Sequence, residues 1–173
     1  MTAWRIRAPV PADFGRIDEI VRAAFNNQEE VDIVRRARAE GSVLWEAVAD
    51  LDGEVTGHIL FTRMSADRPI FLAALGPVAI EPGQQSSGGG GALIRAGIEA
   101  MRGMGVDAIV LLGHQTYYPR FGFSPEAAAA IASPYAGSRS FMALELWPKA
   151  LERPIRADFP PAFGPPPSDR AGA

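Results

Sequence analysis

Residues 85–91 form a loop of one glutamine, two serines and four glycines between two segments that must pack into a core. The preceding residues 70–80 are almost continuously apolar, as in a strand buried on both faces. In the following residues 92–101, apolar side chains recur at helical spacing. Glycine permits close ligand approach, and a helix start offers free N–H groups and a positive dipole end. The loop therefore predicts a phosphate or pyrophosphate site.

Three other interpretations of this loop fit less well. A flexible Ser/Gly linker usually joins domains, whereas this loop joins two elements of one core. A P-loop has Lys and then Ser or Thr after its last glycine, but Ala92 follows Gly91. A Rossmann loop follows the first strand of its unit, with an acid at the end of the next strand. Here the loop follows the fourth predicted strand, and the next strand ends at Leu112 without an acid.

Hydrophobic periodicity along the rest of the chain predicts one α/β domain with a mixed sheet. The predicted order is β-α-α-β-β-β-α-β-α-β. Strands are predicted at residues 4–8, 43–49, 55–63, 70–80, 108–112 and 139–147. Helices are predicted at residues 12–25, 29–40, 92–101 and, as a short one, 116–121. The prolines at 160, 161 and 165–167 predict an extended or disordered tail.

Composition excludes several classes of function. The 173 residues suffice for one domain, and 17 basic against 20 acidic residues argue against a nucleic-acid partner. The absence of cysteine excludes disulfides, thiolate metal sites and a cysteine nucleophile, and with only two histidines we expect no metal. The start of the chain lacks a signal-peptide pattern, and residues 70–80 are shorter than the roughly 20 residues of a membrane helix. We therefore expect a cytoplasmic protein without a membrane partner.

The motifs around the loop resemble a known family. Gln85-x-x-Gly88-x-Gly90 resembles the acyl-CoA signature of the GNAT superfamily of N-acetyltransferases. Residues 75–82 resemble the strand before that signature, and Tyr118-x-x-x-Gly122-Phe123 resembles the motif after the fifth strand. Longer strings, including residues 141–146 and 161–163, are similar to its bacterial YhbS-like subfamily. The resemblance implies a mostly antiparallel twisted sheet flanked by helices, in a domain of residues 1–163 with a flexible Pro-rich tail at 164–173.

The resemblance also implies how acetyl-CoA is bound as co-substrate. The backbone of Val78, Ala79 and Ile80 would pair with the pantetheine arm like an added strand. The pyrophosphate would be held by the loop, that is by Gln85, Ser86, Ser87, Gly88, Gly89, Gly90 and Gly91. The chain departs from the family by having serine at 86 and 87, where Arg or Lys is usual, and glycine at 89, where a bulky apolar residue is usual.

The implied chemistry is direct attack of a neutral amine on the thioester in a ternary complex, without an acyl-enzyme. We expect Tyr118 near the sulfur, protonating the departing thiolate, and Tyr117 in a packing role. A backbone N–H of residues 78–80 would stabilise the oxyanion. Glu81 is one candidate base and His114 another, and each is equally well explained as a solvated rim residue. His58 is expected at the surface or in the acceptor pocket, without a catalytic role.

The acceptor amine is expected to enter beside the first two helices. Their connection carries Asn26, Asn27, Glu29 and Glu30, and the two carboxylates could attract a cationic amine or simply favour the helix dipole. Three functions remain open at this stage: acetyl transfer to a small amine, acetyl transfer to a protein N-terminus or lysine, and non-catalytic binding of acyl-CoA. The oligomeric state also stays open, with a homodimer among the alternatives.

Overall fold

The computed structural model describes residues 4–166, which form a mixed sheet covered on both faces. The α-helices are α1 (Phe14–Phe25), α2 (Glu29–Glu40) and α3 (Gly89–Gly103). The strands are β1 (Trp4–Arg7), β2 (Val43–Leu51), β3 (Glu54–Arg63), β4 (Ser65–Ala66), β5 (Leu72–Ile80), β6 (Ala108–Leu112), β7 (Ile131–Ala132), β8 (Phe141–Glu145) and β9 (Ile155–Asp158). Short 3-10 helices lie at Pro11–Asp13, Pro82–Gln84, Tyr118–Phe121 and Pro161–Phe163.

The main sheet has the strand order β1-β2-β3-β5-β6-β8, and all its pairs are antiparallel except β5 with β6. This confirms the predicted mixed, mostly antiparallel sheet. A small second sheet joins β4, β9 and β7. Helix α3 packs on one face of the main sheet, where Phe61, Leu93 and Ile109 share a core cluster. Helices α1 and α2 and the segment from β7 to the last 3-10 helix cover the opposite face.

Strands β5 and β6 separate halfway along β5, and this separation positions the site. Their pairing covers only Leu72–Ala74 of β5, whereas β3 stays paired with β5 up to Ile80. The register shifts at Gly76-Pro77, where two residues of β5 lie opposite Leu60 of β3. A bulge of this kind bends its strand. Beyond Ala74, one edge of β5 is therefore left without a strand partner.

Most predicted elements are confirmed, and three boundaries are corrected. Helix α3 begins at Gly89 rather than 92, so three glycines of the loop form its first turn. The predicted helix at 116–121 is a 3-10 turn, because Pro119 lacks the N–H that an α-helix would use. The predicted last strand shortens to Phe141–Glu145.

The tail prediction is wrong for Pro160 and Pro161. Strand β9 precedes them, and the 3-10 helix Pro161–Phe163 packs on α2. The N–H of Ala162 donates to Glu40 Oε1 at 3.1 Å, and Arg36 Nε donates to the carbonyl of Ala162 at 2.9 Å. Proline fixes φ but leaves its carbonyl and neighbours free to bond, so proline content alone did not predict this docking. Residues 167–173 lie outside the described residues.

The prediction for His58 is also wrong, because its side chain is fully buried under α1 and α2. Its Nε2–H donates to Glu46 Oε1 at 2.7 Å, and Arg38 of α2 binds the same carboxylate. His58 does face away from Ile59 and Phe61, as its position on the strand predicts. The alternation of a strand separates its two faces but does not say that a helix covers the second one.

Candidate functional site

A cavity of about 1300 Å³ opens where β5 and β6 separate. Its lining residues come from both faces of the sheet. On the α3 side lie Gln84, Gln85, Ser86, Gly88, Gly90, Gly91, Arg95, Tyr117, Tyr118, Arg120 and Phe121. On the other side, called here the aromatic side, lie Ala24, Phe25, Glu29, Glu30, Ile33, Tyr135, Phe159, Phe163 and Pro165. The open edge of β5 and the end of β6 lie between them.

The loop bends sharply into α3 and lines the cavity with all its residues except Ser87 and Gly89. Ser86 has φ 65° and Gly88, the residue before the helix, has φ 97°, both in the left-handed region. Ala92 donates to the carbonyl of Gly88 at 3.0 Å, which is the first hydrogen bond of the helix. The N–H groups of Gly89, Gly90 and Gly91 precede it and so lack an acceptor within the helix. Such free N–H groups at a helix start are the feature on which the predicted anion site depends.

Two of the glycines are explained by aromatic neighbours. A Cβ on Gly89 would lie 3.0 Å from ring atoms of Trp4, so the indole occupies the space of a side chain at position 89. Trp4 Nε1–H also donates to the carbonyl of Ser87 at 3.3 Å, which ties β1 to the loop. A Cβ on Gly90 would lie 3.1 Å from the hydroxyl of Tyr117. The resemblance predicts a bulky apolar residue at position 89. In this chain the indole of Trp4, which is distant in sequence, lies where such a side chain would be.

The open part of β5 contributes backbone to the cavity. Leu75, Gly76, Pro77, Val78 and Ile80 line it, while the side chain of Ala79 packs on the α1 face. Among residues 4–166, no strand pairs with the edge of β5 that faces the cavity beyond Ala74. An extended ligand could add to this edge by main-chain hydrogen bonds, as in β-augmentation.

Tyr117 and Tyr118 both line the cavity, at the turn after β6. Their ring centroids are 5.2 Å apart in an edge-to-face arrangement, and Tyr118 also packs on the buried Phe123. Burial, with a smaller contribution from Tyr117, raises the pKa of Tyr118 to about 12. Tyrosine is protonated at neutral pH even at its ordinary pKa of 10.0, and the raised pKa keeps Tyr118 so at higher pH as well. The sequence analysis assigned Tyr117 to packing and only Tyr118 to the site. In the structure both tyrosines line the cavity.

The two candidate bases differ in position. Glu81 forms an ion pair with Arg16 of α1, with 2.5 Å between Oε1 and Nη2, and does not line the cavity. The hydrogen bond to Glu81 raises the pKa of Arg16, so this cation persists. His114 lines the cavity at the end of β6, and its carbonyl accepts the N–H of Tyr117 at 3.2 Å. The role of Glu81 as a base stays a prediction. The ion pair with Arg16 does not favour it, because the carboxylate already has a cationic partner.

Two arginines that the sequence analysis missed lie next to the loop. Arg95, in the second turn of α3, has its guanidinium 5.1 Å from the ring centroid of Phe121. Arg120 lies 4.6 Å from the ring centroid of Tyr117 and donates through Nε to the carbonyl of Tyr117 at 3.0 Å. Both line the cavity. They supply positive charge beside a loop whose serines supply none.

The aromatic side brings together residues that are far apart in sequence. Tyr135, Phe159 and Phe163 form a stack with centroid distances of 5.5 and 5.2 Å, and Phe25 at the end of α1 is 37% exposed. Glu29 and Glu30 begin α2 next to them and line the cavity, as predicted for the acceptor side, whereas Asn26 and Asn27 do not. No local sequence signal marks the three stacked rings, because only the tertiary fold joins them.

Residues 4–166 contain neither a cluster of metal-binding side chains nor a helix suited to span a membrane. No group of three or more histidine, aspartate or glutamate side chains is arranged to hold a metal ion in this part of the chain. Within the same residues, none of the helices has the length and apolar character needed to cross a membrane.

Comparison with known proteins finds a family model, related sequences and solved structures that match this chain. A family model described as the acetyltransferase (GNAT) family matches residues 13–123. The chain is 40% identical over 120 residues to the uncharacterized N-acetyltransferase YjhQ of Escherichia coli K12, and the match covers 66% of each chain, just under two thirds. It is 27% identical over 137 residues to the uncharacterized N-acetyltransferase YhbS of the same strain, covering 78% of this chain and 82% of that one.

Two solved structures share the fold over nearly the whole chain. The structure of YhbS from Escherichia coli in complex with CoA superposes with a TM-score of 0.86 at 25% identity, covering 94% of this chain and 93% of that one. A GNAT family acetyltransferase from Brucella melitensis in complex with acetyl-CoA gives a TM-score of 0.77 at 32% identity, covering 93% and 98%.

Proposed function

Because the chain belongs to the acetyltransferase (GNAT) family, we propose that it moves an acetyl group from acetyl-CoA to a small primary amine by direct attack in a ternary complex. One observation carries the proposal: a single cavity is lined by the N-terminus of α3, the open edge of β5 and Tyr118. In acetyl-CoA these three features would bind the diphosphate, align the pantetheine arm and donate a proton to the thioester sulfur, respectively. The solved relatives with CoA and acetyl-CoA support the same ligand.

The residues present fit acetyl-CoA. Gly90 and Gly91 line the cavity at the N-terminus of α3, where their N–H groups lack an acceptor within the helix and can bind the diphosphate. Arg95 and Arg120 line the same cavity and add positive charge. The edge of β5 at Val78 and Ile80 can pair with the amide groups of the pantetheine arm. The cavity of about 1300 Å³ has room for both substrates.

Acetyl-CoA supplies the activated thioester; the chain supplies positioning and proton transfer. Holding the amine beside the thioester makes the reaction effectively unimolecular. A backbone N–H of residues 78–80 stabilises the oxyanion. Tyr118, which like any tyrosine is protonated at neutral pH, donates to the sulfur as the C–S bond breaks. His114, which lines the cavity, receives the proton of the amine in preference to Glu81, which Arg16 holds. With no cysteine in the chain, a thiol-linked acyl-enzyme does not form.

The test has two stages. Acetyl-CoA is first added in a thermal unfolding assay, where a ligand bound only by the native state stabilises it by about 2.7 kcal/mol at a hundredfold excess over Kd. Thiol release is then followed with a panel of small amines and of peptides with free N-termini or lysines. We expect a thermal shift and release that depends on a small amine. No shift at millimolar acetyl-CoA would overturn the proposal. Release only with peptides would assign a protein acetyltransferase, and binding without release would assign a non-catalytic module.

A further inference from the structure

The aromatic side of the cavity has a wall of rings that are packed together and still accessible. Tyr135 and Phe159 meet edge to face at 5.5 Å, and Phe159 and Phe163 are tilted at 5.2 Å. Phe25 is 37% exposed and lines the same space. Covering exposed aromatic surface with another apolar group removes it from water and lowers the free energy of the complex. A ligand with an apolar, ring-sized body matches this wall.

Glu30 lines the same cavity as these rings, and within the described part of the chain its carboxylate has no partner there. Its side chain is half-buried, and within residues 4–166 no hydrogen bond or ion pair to its carboxylate is found. Burial, assisted by the charge of Glu29, raises the pKa of Glu30. The neighbouring Glu29 is more exposed and pairs with Arg36 at 3.3 Å. A half-buried carboxylate without a partner costs free energy, which a bound cation would offset.

Building on the proposed function, we propose that the aromatic side of the cavity binds the acceptor as an ammonium ion on an aromatic body, with Glu30 facing the ammonium and the rings of Phe25, Phe159 and Tyr135 packing against the body. The same rings can also attract a cation through their faces. The dipole of α2 explains acids in its first turn, including Asp32, but it does not explain why one of them lies unpaired in an aromatic cavity.

The experiment compares three acceptors of known chemistry. 2-Phenylethylamine has a ring and an ammonium, phenylalanine adds a carboxylate to the same body, and ethanolamine lacks the ring. We expect kcat/KM to be at least tenfold higher for 2-phenylethylamine than for either other amine, because the carboxylate would face Glu30 and ethanolamine would leave the rings uncovered. Equal kcat/KM values for the three amines, or no thiol release with 2-phenylethylamine, would overturn the inference.

The variant test isolates Glu30. Glu30→Gln keeps the shape and removes the charge, and we expect kcat/KM for 2-phenylethylamine to fall at least tenfold while acetyl-CoA binding persists. Asp32→Asn is the matched control, since it removes one charge from the same turn outside the cavity; it should change kcat/KM less than twofold. Full activity of Glu30→Gln, or an equal loss in Asp32→Asn, would overturn the inference. Failure of the wild type to bind acetyl-CoA would instead contradict the proposed function.

Discussion

The ring of Tyr118 lies against the backbone of Gly113, so closely that a Cβ on Gly113 would be 2.3 Å from Cε2 and 2.8 Å from Cδ2 of that ring. Real Cβ atoms do not approach other atoms this closely, so the ring and a side chain at position 113 exclude each other. Gly113 follows β6 directly, and its N–H donates to the carbonyl of Ser140 at 3.0 Å. The backbone there is held in place by the sheet, and the ring would have to move.

The first prediction concerns Gly113→Ala. The added methyl group should displace the Tyr118 ring and lower kcat by at least tenfold, because a misplaced acid loses its contribution to catalysis. Gly83→Ala is the control, since a Cβ there meets nothing within 4 Å. Thiol-release kinetics and melting temperatures of both variants provide the measurement. Unchanged kcat in Gly113→Ala would show that the position of this ring does not matter.

The second prediction concerns the hydroxyl of Tyr118. Tyr118→Phe keeps the packing on Phe123 and removes only the O–H, so kcat should fall about 10²–10⁴-fold. The melting temperature should change little, since no hydrogen bond to this hydroxyl is found within residues 4–166. Tyr117→Phe removes the hydroxyl near Gly90 and should weaken CoA binding more than it lowers kcat. Full turnover of Tyr118→Phe would contradict its role as the acid.

A third prediction concerns Arg95 and Arg120. Replacing either by Gln should weaken CoA binding severalfold and reduce the dependence of Kd on salt, because each variant removes one charge near the phosphates. Titration of CoA and of dephospho-CoA at two salt concentrations identifies the phosphate involved, since the arginine that faces the 3′-phosphate affects only CoA. Arg5→Gln, an exposed charge on β1, serves as the control. Unchanged affinity in both cavity variants would mean that the backbone binds the phosphates alone.

The fourth prediction links stability to pH through His58 and Glu46. Burial lowers the pKa of His58 below its ordinary value of 6.5. Burial alone would raise the pKa of Glu46, but the hydrogen bonds and charges of His58 and Arg38 outweigh it and hold the pKa below 4.5. Both groups then bind fewer protons in the folded than in the unfolded state. The contribution of these two groups to the free energy of unfolding is therefore fully present above pH 6.5. It is lost on acidification, first through protonation of His58 and then through protonation of Glu46.

Calorimetry between pH 7.5 and about 5 tests this linkage. His58→Leu should flatten the fall in melting temperature in that range, since it removes the buried group that must be protonated. His114→Gln removes the other, exposed histidine and should keep the slope of the wild type. An unchanged slope in His58→Leu would assign the effect to other groups.

Local patterns predicted the strands of the main sheet and the three α-helices, but not the short strands β4, β7 and β9. The bounds of α2 and β6 follow from apolar periodicity and from Gly41 in the left-handed conformation after α2. The loop at 85–91 was singled out by its glycines between a strand and a helix, and Tyr118 by the resemblance of residues 118–123 to a family motif. Both patterns lie within a few neighbouring positions, and the roles inferred from them stay predictions.

The neighbours of these elements were decided only by the tertiary structure. Trp4 fills the space beside Gly89 from 85 positions away, and Arg95 and Arg120 reach one cavity from different elements. Phe25 lines the same cavity as the packed rings of Tyr135, Phe159 and Phe163. His58 is buried because α1 and α2 happen to cover its face of the sheet. The physical reason is the same in each case: hydrophobic packing is non-directional and depends on which surfaces the chain brings together. The sequence by itself determined the glycine-rich turn into α3 and the two tyrosines after β6, because each depends on neighbouring residues. The aromatic side of the cavity arises only when distant segments pack around the gap between β5 and β6.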